Sequence, residues 1–280
     1  MRYAISTWNF HPPDVPLAGL IDRFAAMGFD TMSFLPRQLL GLDGGAWRDL
    51  RAVMDGRPLT ATVHGKFDLT AQDVRRIVEM LGERLLCLTF DAAKAADSRG
   101  QFFDAARMAA LLRHVEQASR GSNLRFGVED FPLDRRALDH YRRDLGDLGD
   151  CPRLGMLIDV GHMHMRRTGE PYFSALSVQQ YVEAAPLPII EVHLHDNAGQ
   201  KDSHGHFGFG TICFPDVAAA LAKAGFDGVS TVEIAPAFYG LTAEQAMPHA
   251  AESLAVWRRL WDRSSLPRSS GRDSSGEGVR

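Results

Sequence analysis

Residues 190–212 read IEVHLHDNAGQKDSHGHFGFGTI. The run opens as a strand. His193 and His195 alternate with Val192 and Leu194, and a side-chain period of two puts both imidazoles on one face, pointing inward. Asp196 follows, then a loop carrying Lys201, Asp202, His204 and His206, then glycines at 208 and 210. Four histidines and two aspartates between residues 193 and 206 are hard to explain by packing. Histidine is a common metal ligand, and the D-x-H spacing of Asp202 and His204 lets two side chains converge on one ion. The bland alternative is an exposed polar loop.

Outward from this run the same design recurs: an apolar strand that finishes in a polar, chemistry-bearing residue. Residues 155–165 read GMLIDVGHMHM, with Asp159 at the strand end and His162 three residues on, across Gly161. His164 reads as a loop residue. Residues 124–131 read LRFGVEDF and end in Glu129 and Asp130. A carboxylate there can ligate a metal or move a proton, or simply sit at the start of a helix. Residues 229–236 read VSTVEIAP, and Glu233 interrupts the apolar run. A buried carboxylate needs a partner, which a cation or a Lys or Arg would supply. His64 ends a further strand, ATVHG. Trp8 follows the first strand, where it can line a substrate or pack in the core.

The strands are expected at Tyr3–Ser6, Thr31–Phe34, Thr60–His64, Leu85–Phe90, Leu124–Glu129, Gly155–Asp159, Ile189–His195 and Val229–Ile234. Between them run amphipathic stripes such as Leu17, Leu20, Ile21, Phe24 and Met27, or Val74, Ile77, Val78 and Leu81. Alternating strands and helices imply a parallel sheet with crossover connections. A doubly wound sheet and a barrel are both possible, and the count of eight favours a single-domain α/β (β/α)8 TIM barrel over residues 1–262. In that fold, groups at the C-terminal ends of strands share one mouth. The remainder, 263–280, is rich in Ser, Gly, Arg and Asp and reads as a disordered tail.

Composition narrows the function classes. The 280 residues are 45% hydrophobic with a formal net charge of −4. No general attraction to nucleic acid or anionic membrane follows from that balance. Cys87, Cys151 and Cys213 are odd in number and form no CxxC, so a disulfide framework and a thiolate zinc site are both disfavoured. No apolar run reaches membrane-spanning length and no signal peptide is visible, so a cytoplasmic location is expected.

The run HLHDNAGQKDSHGHFGFGTICF, followed by the glutamate strand TVEI, resembles the xylose-isomerase-like TIM-barrel superfamily over roughly residues 1–262. That group includes sugar and sugar-phosphate isomerases and epimerases, inosose dehydratases and apurinic endonucleases of the endonuclease IV type. The resemblance implies a main metal site of Glu129, Asp159, His193 and Glu233, with His195 as the other choice on that strand. It implies a further site of His162, Asp202 and His204, as in the endonuclease-like members, and a strand-three histidine at His64. One departure stands out: the strand-four histidine of a trinuclear endonuclease is absent, because that strand ends CLTFDAAK, with Thr89 and Asp91.

The leading expectation is therefore a metal-dependent isomerase or epimerase of a sugar, sugar phosphate or related polyhydroxy-carbonyl compound. Glu129 and Glu233 would act as catalytic groups, and His64, His195, Asp196, Trp8 and Lys201 as substrate contacts. One or two divalent ions (Mn, Mg, Co or Zn) are expected per chain. The partner is a small molecule rather than nucleic acid or membrane, and a homo-oligomer is possible. The alternatives are a metal-dependent phosphodiesterase of the apurinic-endonuclease kind and a non-catalytic metal- or sugar-binding barrel.

Overall fold

The computed structural model describes residues 1–11, 15–66, 68–92, 94–97, 100–129 and 146–265. Eight strands, all parallel, close into a barrel: β1 (Arg2–Ser6), β2 (Thr31–Phe34), β3 (Thr60–Gly65), β4 (Leu85–Phe90), β7 (Arg125–Glu129), β8 (Leu154–Asp159), β9 (Ile189–Leu194) and β10 (Val229–Val232). Around the ring the order is β1-β10-β9-β8-β7-β4-β3-β2, so sequence neighbours are spatial neighbours throughout. The two remaining strands, β5 (Lys94–Asp97) and β6 (Gly100–Phe103), form a small antiparallel hairpin between β4 and the next helix. Sequence reading misses it, because four-residue segments give no usable alternation.

The strands form as short, largely buried runs in which apolar residues are joined by small polar or lumen-facing ones. All six residues of β8, LGMLID, are buried, as expected of a parallel strand covered on both faces. The helices bury the stripes read from the sequence. Helix Leu17–Ala26 puts Leu17, Leu20, Ile21 and Phe24 into the core. Helix Ala71–Leu81 buries Val74, Ile77 and Leu81, and starts at a capping box in which Thr70 and Asp73 satisfy each other's amides. Burying each such large side chain is worth about 1.5–3 kcal/mol. The last helix, Ala243–Ser265, packs Leu254, Trp257 and Trp261 against the barrel. Its Arg258 guanidinium donates to the Gly28 backbone carbonyl, tying it to the loop before β2.

Several boundaries differ from expectation, most by one residue, and three of them matter. The final helix holds residues 263–265, because it runs one turn past the buried Trp261, where the Ser265 hydroxyl donates to the Trp261 carbonyl; residues 266–280 lie outside the described residues. β9 stops at Leu194 and β10 at Val232, so His195 and Glu233 sit just past their strands rather than in them. His164, read as a loop residue, lies in the helix Val160–Gly169. Among the described residues no helix is long and apolar enough to cross a membrane, and the three cysteines are free.

Candidate metal centre at the barrel mouth

The polar strand ends converge at the C-terminal mouth. His193 is almost fully buried on β9, and its Nδ1 lies 2.7 Å from Glu233 Oε2 and 4.0 Å from Asp159 Oδ2. Glu129, Asp159 and His193 each offer one donor atom, and these atoms lie within 4.8 Å of one another. Register explains the meeting: Asp159 on β8 pairs with His193 on β9, which pairs with Thr231 on β10, two residues before Glu233. These are the four residues expected to form the main site. Of the two histidines, His193 is the one grouped with Glu129 and Asp159.

His195 belongs to a second group with Asp202 and His204, whose donor atoms also lie within 4.8 Å of one another. His204 Nε2 stands 3.1 Å from Asp202 Oδ2, and the His195 and His204 rings stack with centroids 4.0 Å apart. His195 Nε2 is also 2.9 Å from Asp159 Oδ1, so Asp159 faces both groups. His162 bridges them as well, with Nδ1 3.1 Å from Glu129 Oε1 and Nε2 3.2 Å from Asp202 Oδ2. Asp159 is in addition the cap of the helix Val160–Gly169, accepting from the His162 amide at 2.8 Å.

Two local features hold the second group together. Gly161 is needed for close approach: a Cβ there would fall 1.9 Å from His195 Cε1. The glycine makes room for a ring, beyond easing a turn. His204 adopts φ 48°, the one left-handed non-glycine among the described residues. Such a conformation is uncommon for a side-chain-bearing residue and is held by its surroundings. Here the Ala235 amide bonds the His204 carbonyl, and His204 Nδ1 lies 3.2 Å from the Glu233 carbonyl.

A third group forms on the other side of Glu129. His64 Nε2 lies 3.0 Å from Glu129 Oε2 and 2.8 Å from Asp91 Oδ1, and His64, Asp91 and Glu129 again have donor atoms within 4.8 Å. Asp91, one residue past β4, places a carboxylate where the strand-four histidine is missing. Trp8 leans over this side, with its ring centroid 6.3 Å from His64 and 6.4 Å from His193.

The remaining expected contacts sit differently. Asp196 is buried, and its two carboxylate oxygens accept from the amides of Gly208 and Ile212 at 3.0 and 3.1 Å. It therefore organises the loop that carries Asp202 and His204, in place of the substrate contact expected of it. Lys201 is exposed, with Nζ 5.9 Å from the Phe238 ring centroid. Asp130 lies outside the described residues. Sequence reading overlooked Glu191, which is fully buried in the lumen. Its signal was a charge in the run IIEVHLH, on the same period-two face as His193.

Within the cluster the imidazoles and carboxylates shift one another in opposite directions. Burial pushes His64 down, but Asp91 and Glu129 outweigh it and hold the ring protonated up to about 10. Burial likewise opposes protonation of His204, and Glu233 and Asp202 raise it to about 9. His193 is pushed well up by Glu233 and Glu191 against the same burial cost. The carboxylates shift the other way. Burial would raise Glu129, yet hydrogen bonds with His162 and His64 bring it below the usual range. Asp159, Asp202 and Glu233 are lowered by the neighbouring imidazoles, again against burial. Positive charge is thus demanded at the centre of each group.

The donor set fits a divalent cation. Buried carboxylates surrounded by imidazoles are a metal-binding composition, oxygen-rich at the first group and His2Asp at the second. Asp202 Oδ1 and His195 Nδ1 are buried and make no hydrogen bond among the described residues, which leaves donor capacity unspent in the second group.

This barrel and its mouth place the chain in a family. It belongs to the xylose isomerase-like TIM barrel family, which matches residues 21–260. The uncharacterized protein MJ1311 of Methanocaldococcus jannaschii is 29% identical over 125 residues; the match covers 44% of this chain and 41% of that protein's own length. Among solved structures, D-psicose 3-epimerase from Clostridium cellulolyticum H10, crystallised with D-tagatose, shares the fold at a TM-score of 0.69 and 14% identity, covering 93% of this chain and 99% of the other. The IOLI protein with a bound zinc atom matches at 0.60 and 14% identity, covering 94% and 99%. The probable 3-DHS dehydratase AsbF of Bacillus anthracis matches at 0.63 and 13% identity, covering 92% and 99%.

Proposed function

We propose that the chain is a divalent-metal-dependent isomerase or epimerase of a sugar or related polyhydroxylated carbonyl compound. The observation that carries this reading is the meeting of Glu129, Asp159, His193 and Glu233 at one mouth, with His193 Nδ1 2.7 Å from Glu233. These four residues would hold the ion. When bound, it supplies positive charge that polarises a carbonyl and offsets the negative charge developing on its oxygen.

The chain's own groups would do the proton work. Glu129 ends β7 and Glu233 follows β10, with β8 and β9 between them on the ring, so the two carboxylates approach a bound substrate from different sides. One carboxylate oxygen takes a proton from the carbon beside the carbonyl, and the other returns one. His64 and His162 grip the two oxygens of Glu129 and fix its orientation. Trp8 offers an apolar face over the mouth, suited to a sugar ring or chain. Similarity to epimerases and a dehydratase of the same fold supports this class of chemistry.

A second reading, metal-dependent phosphodiester hydrolysis, is favoured by the His195–Asp202–His204 group and by Asp91 beside His64, which offer further donor sets. Protein purified without chelator, analysed for metal and assayed against ketoses, aldoses and abasic-site DNA with Mn²⁺, Co²⁺, Mg²⁺ or Zn²⁺, separates the readings. Metal-dependent interconversion of a keto-sugar is expected. DNA nicking with no sugar turnover overturns the isomerase reading.

A further inference from the structure

We infer that Glu191 is a positioning residue that fixes which nitrogen of His193 faces the metal site. The inference rests on the metal-site reading above. Glu191 lies two residues before His193 on β9 and faces the barrel lumen, where it is fully buried. A carboxylate at that depth is costly to desolvate unless donors meet it. Three do. The hydroxyls of Thr62, Thr89 and Thr231 lie 3.0, 3.1 and 2.7 Å from its oxygens. Thr231 is on the neighbouring strand β10, whereas Thr62 and Thr89 stand on β3 and β4 across the lumen. Glu191 therefore spans the barrel directly below the mouth.

The fourth group aimed at it is His193. Nε2 of that ring is buried, has no hydrogen-bond partner among the described residues, and lies 3.7 Å from Glu191 Oε1, an ion-pair distance. On the opposite edge, Nδ1 points at Glu233. The ring is thus strung between a carboxylate in the floor and the carboxylates of the mouth. If Nε2 carried no proton, its lone pair would face the Glu191 oxygen in a low-dielectric interior, which is repulsive. Nε2 accordingly keeps its proton, and it is the Nδ1 proton, held against Glu233, that a bound ion would displace, so that Nδ1 would face the ion among Glu129, Asp159 and Glu233. A carboxylate behind a ligating imidazole sets the tautomer, orients the ring and raises its basicity. The three threonines, in turn, hold Glu191 at a fixed height in the lumen.

The test uses Zn²⁺ as probe, with its dissociation constant measured by competition with a chromophoric chelator, and ¹⁵N shifts of His193 in the Zn²⁺-loaded protein. Wild type is expected to show a proton on Nε2 and coordination through Nδ1. Glu191→Gln keeps the shape and is expected to bind Zn²⁺ roughly 10–100-fold more weakly with an unchanged circular dichroism spectrum. Glu191→Asp, which keeps the charge on a shorter stem, is expected to recover part of that loss. Wild-type affinity in Glu191→Gln, or a His193 proton on Nδ1, overturns the assignment. If Glu191→Gln does not fold, the wild-type shifts decide alone. Wild type that binds no ion overturns the metal-site reading as well, whereas tight wild-type binding that ignores the Gln substitution overturns only the role of Glu191.

Discussion

The two principal donor groups at the mouth are built by different means. Glu129, Asp159 and His193 project from β7, β8 and β9, and all three are buried. Asp202 and His204 ride on the loop after β9, are only partly buried, and depend on a left-handed backbone at His204 and a bare Gly161 beneath His195. Strand-borne groups inherit the rigidity of the barrel, and loop-borne groups inherit that of whatever pins the loop. In this chain the pin is Asp196, through the Gly208 and Ile212 amides. The first group is thus suited to chemistry that tolerates little displacement, and the second to tuning it.

The sharpest way to break this contrast is Glu233→Gln. Metal-dependent turnover is expected to fall on the order of 10³-fold or more, about 4 kcal/mol in transition-state terms, with the fold intact by circular dichroism. Unchanged kcat/KM would remove Glu233 from the site. Next comes Gly161→Ala, where the new methyl collides with the His195 ring. Thermal unfolding should report a loss of about 1–3 kcal/mol, as overpacking usually costs; a variant as stable as wild type would mean that the ring has another place to go. Asp202→Asn should lower metal content by one ion per chain in metal analysis while reducing turnover only about tenfold, a modest effect for a second-group ligand. A collapse of turnover as deep as that of Glu233→Gln would erase the distinction between the groups.

The remaining test is a pH dependence. His64 and His204 titrate near 10 and 9 in the folded chain, against an ordinary value of 6.5. Their contribution to the stability of the metal-free protein is complete below about 6.5 and is lost as pH rises through 9 to 10. The melting temperature of chelator-treated protein is expected to fall across that window. Added Zn²⁺ should reverse the fall, because the ion replaces the departing protons, and should release protons when it binds at pH 8. A flat profile without metal would show that these imidazoles are not the ones holding the carboxylates.

Much of this was legible in the sequence. The barrel strands follow from apolar runs, and the helical stripes bury as their period requires. The mouth follows from one rule, that barrel chemistry gathers at strand ends, whereas the grouping of Glu129, Asp159, His193 and Glu233 within it comes from the family resemblance, with His195 as the other choice. What escaped has physical reasons. The β5–β6 hairpin is too short to show a period. The partition of His193 and His195 between two groups depends on where β9 stops, and a period of two cannot say that. Asp196 looked like a substrate contact because it is acidic and beside histidines, but each of its oxygens accepts from a loop amide. Glu191 was readable as a charge in an apolar strand, though its three threonine partners come from strands far apart in sequence.

Glu129 has a consequence of its own. Its Oε1 meets His162 and its Oε2 meets His64, so two imidazoles on separate elements lean on one carboxylate. Removing either ring frees the carboxylate to turn toward the other, and the value of the second ring then changes. Substitutions at residues 64 and 162 will therefore show epistasis: the worth of each depends on the background in which it is made, and their separate effects will not sum.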